Sequence, residues 1–506
     1  MIARVRVFVL AHPLAAPLMA GAVARGAAAI VAMGFHARDD YFHVLEPALA
    51  WLKDPAFDWD NSPLAGAGIR SHLVPRAVWL VLMAARTLGI ASPENLIRAT
   101  YLAAGAYSLL AVPAMFLAAR RLLDAKGALI ATWLAAVHFA MPYAGTRLLI
   151  EAMAMPPLLF GIYFATFTSA RRLVLAGACM ALACWFRYHV AVAALALAAV
   201  VGVSALRTGG LRSALARLAW LATGAGLALA VQGLFDLWTT GDFLGPLVRN
   251  IAYNLSPPAG LSRSGPLTYL GLWLLLTAPP ATLVLLPAMS KAARALPLVT
   301  WPFVAFVVFH SLVPHKEERF MLPVLPLFLI LLAAAPAALK DLRGRWARLA
   351  GWWRPTRGFL VVIHAAALLV AITSQSQASV RDAMIALRND REAQAAISLG
   401  PEILAVFFGE RDLATRRHHQ PDASVLARQL AELADAGVPA DRFLSFAADG
   451  GKAAILLAAF GVRCDPPHEY SGWWLDRLTY TLNPDHNRRR SPVLIWRCEP
   501  PALAAL

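Results

Sequence analysis

Residues 314–338 read PHKEERFMLPVLPLFLILLAAAPAA, in which five consecutive ionisable side chains are followed by 19 residues without a charge. An α-helix rises about 1.5 Å per residue, so about 20 apolar residues cross a hydrocarbon core about 30 Å thick. The stretch therefore predicts a membrane-spanning helix that begins at a polar turn. The whole chain agrees, since 59% of its 506 residues are hydrophobic and 15% are charged, against about 25% charged in soluble proteins.

Ten further stretches between charged clusters are apolar enough to span, which predicts an all-α polytopic membrane protein with about 11 transmembrane helices. They are residues 10–34, 99–119, 127–143, 152–168, 173–186, 189–206, 218–232, 267–290, 296–313 and 359–373. The first lacks a small-residue cleavage site, so we expect a retained anchor rather than a signal peptide. The apolar stretch 75–89 is too short to span comfortably and predicts an interfacial or re-entrant helix.

With 75–89 treated as non-spanning, the basic loops all fall on one side of the membrane, which the positive-inside rule identifies as the cytoplasm. These loops carry Arg4, Arg6, Arg120, Arg121, Lys126, Arg171, Arg172, Arg207, Arg212, Arg217, Lys291, Arg294, Lys340, Arg343, Arg345, Arg348, Arg354 and Arg357. The net charge of +16 is then mostly a consequence of topology, and no nucleic-acid partner is expected. The N-terminus is predicted to be cytoplasmic and the C-terminus to lie outside.

The composition divides the chain into a transmembrane domain, residues 1–375 with a first outer loop at 35–98, and a small soluble C-terminal α/β domain at 376–506. Apolar runs at 403–408, 443–446 and 493–496 alternate with helical stretches such as 423–436. Cys464 and Cys498 both lie in this domain, where an oxidising compartment permits a disulfide, but sequence gives no distance between them. Cys179 and Cys184 lie in a span and are expected to be small apolar fillers.

The outer face carries its densest polar cluster directly after the first span, at residues 36–46, which read HARDDYFHVLE. Charged groups at a membrane boundary are costly to desolvate, so such a cluster favours a site over a solvated loop, which remains the alternative. If the segment after Asp40 is helical, Asp39 and Glu46 are about two turns apart and share a face. Such a pair supplies one general base and one orienting group.

The turn at 315–319 returns to the same face and predicts an anion site. Lys316 and Arg319 offer donors to a phosphate, and the glutamates hold them in place. A solvated hairpin is the alternative.

Three weaker elements face the same side. Thr146 and Arg147 with Glu151 suggest interfacial snorkelling. The run Arg187-Tyr188-His189 is consistent with a short connection between spans. The loop from Asp236 mixes aromatic and hydrogen-bonding side chains, as carbohydrate sites and interfacial belts both do; its polar members are Asp236, Asn250, Asn254, Arg263 and Tyr269.

At these residues the chain resembles the family 22 glycosyltransferases, the multispanning mannosyltransferases of GPI-anchor and lipid-linked oligosaccharide assembly. The family's first-loop motif, Pro-Asp-Glu-Tyr-aromatic-Gln-x-Leu-Glu, corresponds to residues 38–46. Its Arg-Ser-x-x-x-Pro element corresponds to 70–75, and its His-Lys-Glu-x-Arg-Phe-x-x-Pro-x-x-Pro signature to 315–326. Single loop positions match at Asp236, Gly241, Asn254 and Gly265, so the resemblance runs from about residue 30 to 340.

The resemblance implies the GT-C architecture and transfer of a hexose, usually mannose, with inversion, from a polyprenyl-phosphate sugar to a glycan or glycolipid on the non-cytoplasmic face. It implies catalytic roles for Asp39 as base, Asp40 and Glu46. The donor phosphate would be bound by His315, Lys316 and Arg319, with Arg147, Arg187 and Arg263 as lesser candidates. The acceptor or sugar would contact Tyr41, His43, Arg70, Asp236, Asn254, Tyr269 and Glu317.

Two positions depart from the family pattern, because Asp40 replaces the usual Glu and His43 the usual Gln; acceptor positioning and sugar identity can therefore differ. The Ala- and Arg-rich composition suggests a bacterial inner-membrane protein, with an undecaprenyl or decaprenyl donor and a periplasmic active site. No dense carboxylate cage is present in the sequence, so neither metal nor other cofactor is expected.

The main rival is a secondary transporter or lipid flippase, which predicts an internal repeat of broken helices, and none is visible. A structural subunit that binds a partner through its C-terminal domain is a third interpretation. Within the enzyme class, the nearest alternatives are a protein mannosyltransferase and an aminoarabinose transferase.

Overall fold

The computed structural model describes residues 12–37, 41–60, 68–256, 264–279, 281–409, 411, 413–418, 422–485 and 487–499. Helices dominate up to residue 389, and a mixed α/β segment follows. The helices before the sheet are α1 (Ala15–Val31), α2 (Glu46–Lys53), α3 (Leu73–Thr87), α4 (Pro93–Ser108), α5 (Ala111–Leu122), α6 (Ala125–Val137), α7 (Ala140–Thr146), α8 (Ile150–Met153), α9 (Met155–Ala165), α10 (Ala170–Phe186), α11 (Ala191–Thr240), α12 (Gly245–Leu255), α13 (Thr268–Leu276), α14 (Ala281–Ala295), α15 (Pro297–Leu312), α16 (Leu325–Leu339), α17 (Trp353–Ile372) and α18 (Ala378–Asn389). The later elements are β1 (Ala395–Leu399), β2 (Ala414–His418), α19 (Ala423–Asp435), β3 (Arg442–Phe446), α20 (Gly450–Ala459), β4 (His468–Tyr470), α21 (Trp474–Leu482) and β5 (Val493–Arg497).

The chain forms two compact units. The first, called the membrane unit here, contains Met1–Ile30, Ala56–Leu80 and Thr100–Thr373. The second, called the C-terminal unit, contains Val31–Pro55, Val81–Ala99 and Ser374–Leu506.

The described residues contain four helical segments long and apolar enough to cross a membrane, or up to six if each of two bent helix pairs is one span. The four are Pro93–Leu122, Tyr188–Thr240, Glu318–Leu339 and Trp346–Ile372; the bent pairs are α6 with α7 and α13 with α14. The expected number of about 11 is therefore not confirmed. Several predicted spans coincide with helices that are broken or shorter than a full crossing, such as α15 at 297–312.

The predicted spans 189–206 and 218–232 both lie in α11, whose backbone leaves the helical conformation at Gly210 (φ 70°, ψ −174°). This region of positive φ is open to glycine at little cost. A Cβ on Gly202 would lie 3.2 Å from Leu218 Cδ1, whereas 16 residues of straight helix would separate these positions by about 24 Å. The two halves of α11 are therefore folded against each other, as two successive spans require.

Two glycines allow α10 and α11 to cross at backbone contact. A Cβ on Gly177 would overlap the Leu221 carbonyl, and a Cβ on Gly224 would overlap that of Val174. Small residues at helix crossings are the usual solution inside membranes, where close backbone packing drives association. α10 ends at Phe186, and Arg187 follows directly.

The apolar stretch 75–89 is helical, as predicted, and forms most of α3. It does not meet the length and hydropathy criteria for a span. Its interfacial position stays a prediction.

The C-terminal unit contains a five-stranded sheet of order β2-β1-β3-β5-β4. The pairs of β1 with β2 and with β3 are parallel, and those of β5 with β3 and with β4 are antiparallel. The predicted strands at 443–446 and 493–496 and the helix at 423–436 are present, so the α/β character is confirmed; solubility stays an expectation. The third apolar run, at 403–408, is not a strand: Ala405–Phe408 forms a 3₁₀ turn whose residues Val406, Phe407 and Phe408 are buried.

Side chains on both faces of the central strands contribute to the core of this unit. β1 and β3 are buried at all five positions, and Leu426, Leu430 and Leu433 of α19 pack against them. Cys464 and Cys498 form a disulfide, which resolves the alternative left open by the sequence.

Candidate functional site

A buried ion-pair cluster in the membrane unit joins two of the sequence motifs. Glu151, on the short helix α8, has 2% of its side chain exposed and pairs with Arg187, the residue that ends α10. Arg319 approaches the same carboxylate, with Nε 3.5 Å from Glu151 Oε1, and only 6% of its side chain is exposed. One carboxylate thus holds two guanidinium groups together in the membrane unit.

The turn at 315–319 supplies the rest of the cluster. Glu317 accepts a hydrogen bond from Arg319 Nε (2.6 Å) and lies 3.1 Å from His315 Nε2. Tyr269, fully buried on α13, donates its hydroxyl proton to the Glu317 carbonyl oxygen at 3.2 Å. The first glutamate of the turn therefore contacts Arg319 directly. The second, Glu318, is exposed, so the expectation that both glutamates hold the cations applies here to Glu317.

Lys316 is placed differently from Arg319. Its ammonium group donates to the carbonyl oxygens of Ser264 (3.3 Å) and Val313, and the side chain is buried. Since an ammonium group has three donors, two of them close the turn. In this conformation the Lys316 side chain holds the loop together through these two carbonyls.

Arg147 is fully buried, so the snorkelling interpretation of this residue is wrong. Its guanidinium carbon lies 4.6 Å from the ring centre of Tyr101 and 5.3 Å from that of Tyr143. Aromatic faces stabilise a cation by cation–π interaction, which is strongest where water is excluded. Arg147 and Glu151 both lie in the segment between α7 and α9, which brings a third cation close in sequence to the carboxylate that pairs with Arg187 and Arg319.

Aromatic and histidine side chains pack around His189, two residues after Arg187 of the cluster. The His189 ring lies 4.9 Å from that of His310, 5.5 Å from Phe306 and 6.0 Å from Phe320. His310 was not identified from the sequence, although a histidine in an otherwise apolar span is the signal that marks such a position.

Asp236 belongs to a separate polar group. It is fully buried on α11 and accepts hydrogen bonds from Ser71 (2.7 Å) and Gln232 (3.2 Å). Trp185 donates to the same Ser71 hydroxyl at 2.9 Å. These bonds tie the chain before α3 to α10 and α11, so in this conformation Asp236 anchors a loop.

The other residues proposed for the acceptor in the membrane unit lie nearer the surface. Asn254 is exposed at the end of α12 and donates to the carbonyl oxygen of Asn250 at 2.8 Å. Arg70 is half-buried. Arg263 lies outside the described residues.

The first-loop motif falls in the C-terminal unit, and its residues Asp39 and Asp40 lie outside the described residues. The residues after them form one π-helical turn, Tyr41–Leu45, that leads into α2. Tyr41 is fully buried, with its ring 5.0 Å from Phe35 and 6.3 Å from Phe407. Glu46 is buried at the first position of α2, and His43 is half-buried.

No group of three or more His, Cys, Asp or Glu residues able to hold a metal ion occurs in the part of the chain that the structure describes. The expectation that the protein needs no cofactor is not tested by this finding.

The cluster can bind an anion. Arg187 and Arg319 both approach the carboxylate of Glu151, and guanidinium groups match the geometry of carboxylate and phosphate oxygens. Arg187 Nε is buried and has no hydrogen-bond partner among the described residues. A buried donor of this kind is costly unless a ligand or water satisfies it.

Comparison with solved structures shows the same fold in two glycosyltransferases of low sequence identity. The ArnT structure from Cupriavidus metallidurans bound to undecaprenyl phosphate matches with a TM-score of 0.59 and 12% identity, over 95% of this chain and 97% of that one. Its apo form matches with a TM-score of 0.57 and 16% identity, over 94% and 96%. The Archaeoglobus fulgidus oligosaccharyltransferase AglB, in complex with an inhibitory peptide and a dolichol-phosphate, gives 0.54 and 12%, over 89% and 71%.

These neighbours are GT-C glycosyltransferases, so the GT-C fold expected from the motifs is confirmed. Comparison with curated protein sequences gives no significant match. A family model for the Alg9-like mannosyltransferases matches residues 18–410, most of the chain and all of the motifs described above. The protein therefore belongs to the Alg9-like mannosyltransferase family and is an integral membrane glycosyltransferase.

Proposed function

We propose that the protein transfers a hexose, with mannose the first candidate, from a polyprenyl-phosphate donor to a glycan or glycolipid, with inversion at the anomeric carbon. The observation that carries this proposal is the pair of guanidinium groups, Arg187 and Arg319, held by the buried carboxylate of Glu151. The leaving group of the reaction is a lipid phosphate, and this pair supplies the cationic donors that such a group needs.

The electrostatic argument rests on burial. Donors already aimed at developing charge, in a site that excludes water, act more strongly than the same donors in water. The side chains of Arg187 and Arg319 are 13% and 6% exposed, and their mutual repulsion is relieved by Glu151. The departing phosphate gains negative charge as the anomeric bond breaks, and the free Nε–H of Arg187 offers it a hydrogen bond.

The step is a single displacement. The acceptor hydroxyl oxygen forms the new bond to the anomeric carbon while the carbon–oxygen bond to the phosphate breaks, and the hydroxyl proton passes to a carboxylate. The family resemblance assigns this base to Asp39, with Asp40 next. Glu317 and His315 position Arg319, and Arg147 adds a further cation for the donor phosphate.

Three observations support the proposed location of the reaction and the proposed donor. Disulfides persist in oxidising compartments, so the bond between Cys464 and Cys498 favours a C-terminal unit outside the cytoplasm. The positive-inside pattern gives the same orientation. The ArnT and AglB neighbours are described with undecaprenyl phosphate and dolichol-phosphate, which supports a polyprenyl-phosphate donor here, taken as undecaprenyl or decaprenyl at a bacterial inner membrane.

The test is sugar transfer by purified protein in detergent, from synthetic polyprenyl-phosphate mannose to a panel of glycolipid acceptors. Wild type is compared with Asp39→Asn, Arg319→Ala and the control Glu318→Gln, which removes an exposed charge from the same turn. We expect transfer by wild type and the control, and loss of about 10²-fold or more in the other two, since removing one group that stabilises a transition state typically costs this much.

Three results would count against the proposal. Full activity of Asp39→Asn would move the base to Asp40, and full activity of Arg319→Ala would remove the guanidinium pair from the mechanism. Absence of transfer to every acceptor, together with lipid flux in proteoliposomes, would favour a flippase.

A further inference from the structure

Arg25 is a buried cation in the middle of the apolar helix α1. It is 2% exposed, and it lies on the same face as the buried residues Gly21, Ala28 and Ala29. A charged side chain at such a position is costly, so it persists only where it is paired or hydrogen-bonded. Arg25 has no carboxylate partner in the described part of the chain, and hydrogen bonds to uncharged groups take its place.

Its guanidinium group is satisfied almost entirely by backbone carbonyls. Arg25 donates to the carbonyl oxygens of Ala136 (2.9 Å), Ala135 (3.1 Å) and Gly21 (3.2 Å), and its Nε donates to the Ser108 hydroxyl at 2.9 Å. Four hydrogen bonds from one side chain thus join α1, α4 and the end of α6.

The two alanine carbonyls lie where the helix is broken. α6 ends at Val137 and α7 starts at Ala140, with a bend of 45° between them. The last backbone hydrogen bond of α6 runs from the His138 amide to the Leu134 carbonyl at 2.9 Å. The carbonyls of Ala135 and Ala136 therefore lie beyond the last hydrogen bond of this helix. A basic side chain that donates to the last carbonyls of a helix also interacts favourably with its dipole.

The surrounding chain leaves space for this guanidinium group. A Cβ on Gly21 would lie 3.2 Å from Arg25 Nη1, and one on Gly105 would lie 3.5 Å from Arg25 Cβ. A Cβ on Gly145 would lie 2.7 Å from the Cβ of Ser108, the hydroxyl partner. Glycines on three different helices therefore border the same side chain.

The break controls where Arg147 lies, because α7 is only seven residues long and ends at Thr146. Thr146 donates to the Pro142 and Tyr143 carbonyls at 2.9 and 3.1 Å, which fixes the end of α7, and Arg147 follows in extended conformation. We propose that Arg25 is a positioning residue, whose hydrogen bonds to the α6 carbonyls hold the α6–α7 break and thereby place Arg147 for the donor phosphate. The role of Arg147 in binding the donor phosphate rests on the proposed function.

The test uses Arg25→Met, which keeps the length of the side chain and removes its donors, alone and combined with Arg147→Met. We expect the single change at Arg25 to lower kcat/KM for polyprenyl-phosphate mannose by about 10²-fold, since small misplacements of a binding group cost this much. In the Arg147→Met background the same change should cost less than about 3-fold, because the residue through which it acts is gone. The neighbouring Gly26→Ala is the control, since its Cβ meets nothing within 4 Å.

Hydrogen exchange gives a readout that needs no enzymatic activity. In Arg25→Met, amide exchange at residues 138–147 should rise about 10- to 100-fold, as expected for the loss of a hydrogen bond to a charged group, with little change in α9 to α11. Gly145→Ala, which displaces Ser108, should give a smaller effect of the same kind and serves if Arg25→Met does not fold.

Equal losses of activity in the two Arg147 backgrounds, or unchanged exchange at 138–147, would overturn the positioning role. If wild type transfers no sugar but exchange responds as described, the proposed function fails while Arg25 still holds the break.

Discussion

Replacing Glu151 by glutamine tests the central ion pair directly. The change keeps the shape of the side chain but removes the charge that Arg187 and Arg319 share. Arg319 retains Glu317 at 2.6 Å, whereas Arg187 has no second ion pair among the described residues. The variant therefore leaves one guanidinium group buried without a counter-ion.

The magnitude follows from the geometry. Unit charges 3.5 Å apart, the separation of Arg319 Nε and Glu151 Oε1, attract by about 5 kcal/mol at an effective dielectric constant of 20. This value sets the scale for the ion pair that Arg187 makes with the same carboxylate. Removing one partner of a buried pair costs about 3–5 kcal/mol, because the other charge remains desolvated. We expect the free energy of unfolding of Glu151→Gln to fall by about this amount, with a decrease of about 5 °C or more in the unfolding midpoint.

Polyprenyl phosphate should stabilise Glu151→Gln more than it stabilises the wild-type protein. Without the carboxylate, a lipid phosphate becomes the main counter-ion for Arg187, and a ligand that binds the folded state raises its stability. Thermal unfolding in detergent, measured with and without polyprenyl phosphate, should show a larger ligand-induced rise for Glu151→Gln than for wild type. Glu318→Gln, an exposed charge change in the same turn, should stay within about 0.5 kcal/mol of wild type.

Two outcomes would refute this reasoning. One is a folded Glu151→Gln protein that unfolds within about 1 °C of wild type, since no buried charge would then have been left unpaired. The other is an equal response of both proteins to polyprenyl phosphate, which would mean that the ligand binds away from these guanidinium groups.

Three further predictions concern stability, each measured on the full chain in detergent. Gly177→Ala puts a methyl group against the backbone carbonyl of Leu221 and should lower the unfolding midpoint. In the control, Gly226→Ala, the new methyl group meets nothing within 4 Å, so the midpoint should not change. Equal midpoints for the two variants would contradict the close helix crossing. The second change replaces both cysteines of the Cys464–Cys498 disulfide by serine and opens a loop of sequence separation 34. The gain in loop entropy should destabilise the C-terminal unit by about 4 kcal/mol. Hydrogen exchange in β3 and β5 should become faster, and unchanged exchange would refute the prediction. Burial alone would raise the pKa of Asp390, but the hydrogen bond from Arg442 (2.8 Å), the charges of Arg442 and Arg497 and the Glu392 amide together lower it. A carboxyl whose folded pKa lies below its unfolded value stabilises the folded state above the unfolded pKa, so this contribution should be lost as the pH falls below about 4. Asp390→Asn should remove that part of the pH dependence of unfolding.

The fold was predictable where hydrophobic pattern and length agree. The strand at 442–446 is flanked by turn residues, and the stretch from 320 to 338 has no charge, so both are recognisable from sequence. β1, with the sequence AAISL, was missed because alanine and leucine favour helix and because five residues are too few to show a period. The number of spans depends on breaks such as the one after Val137, which hydropathy averages over.

The site was predictable as motifs but not as contacts. The charged turn at 315–319 and the pair Arg147 and Glu151 stand out as polar residues at the ends of apolar stretches. The contacts of Glu151 with Arg187 and Arg319 depend on the packing of helices that are far apart in the chain, and no local sequence pattern encodes such packing. Arg25 had a usable signal, a single arginine within an apolar span, but the carbonyls of Ala135 and Ala136 are open to it only because α6 is broken.

The sheet order has a consequence for how the protein is made. β5 is the last strand in chain order, yet it pairs with both β3 and β4. A polypeptide emerging from the ribosome can assemble β1, β2 and β3, but one edge of β3 stays open until residues 493–497 have been synthesised. Open edges are templates for foreign strands, so messages truncated before Val493 should yield products that aggregate or are degraded, even though every helix of the membrane unit has already been translated.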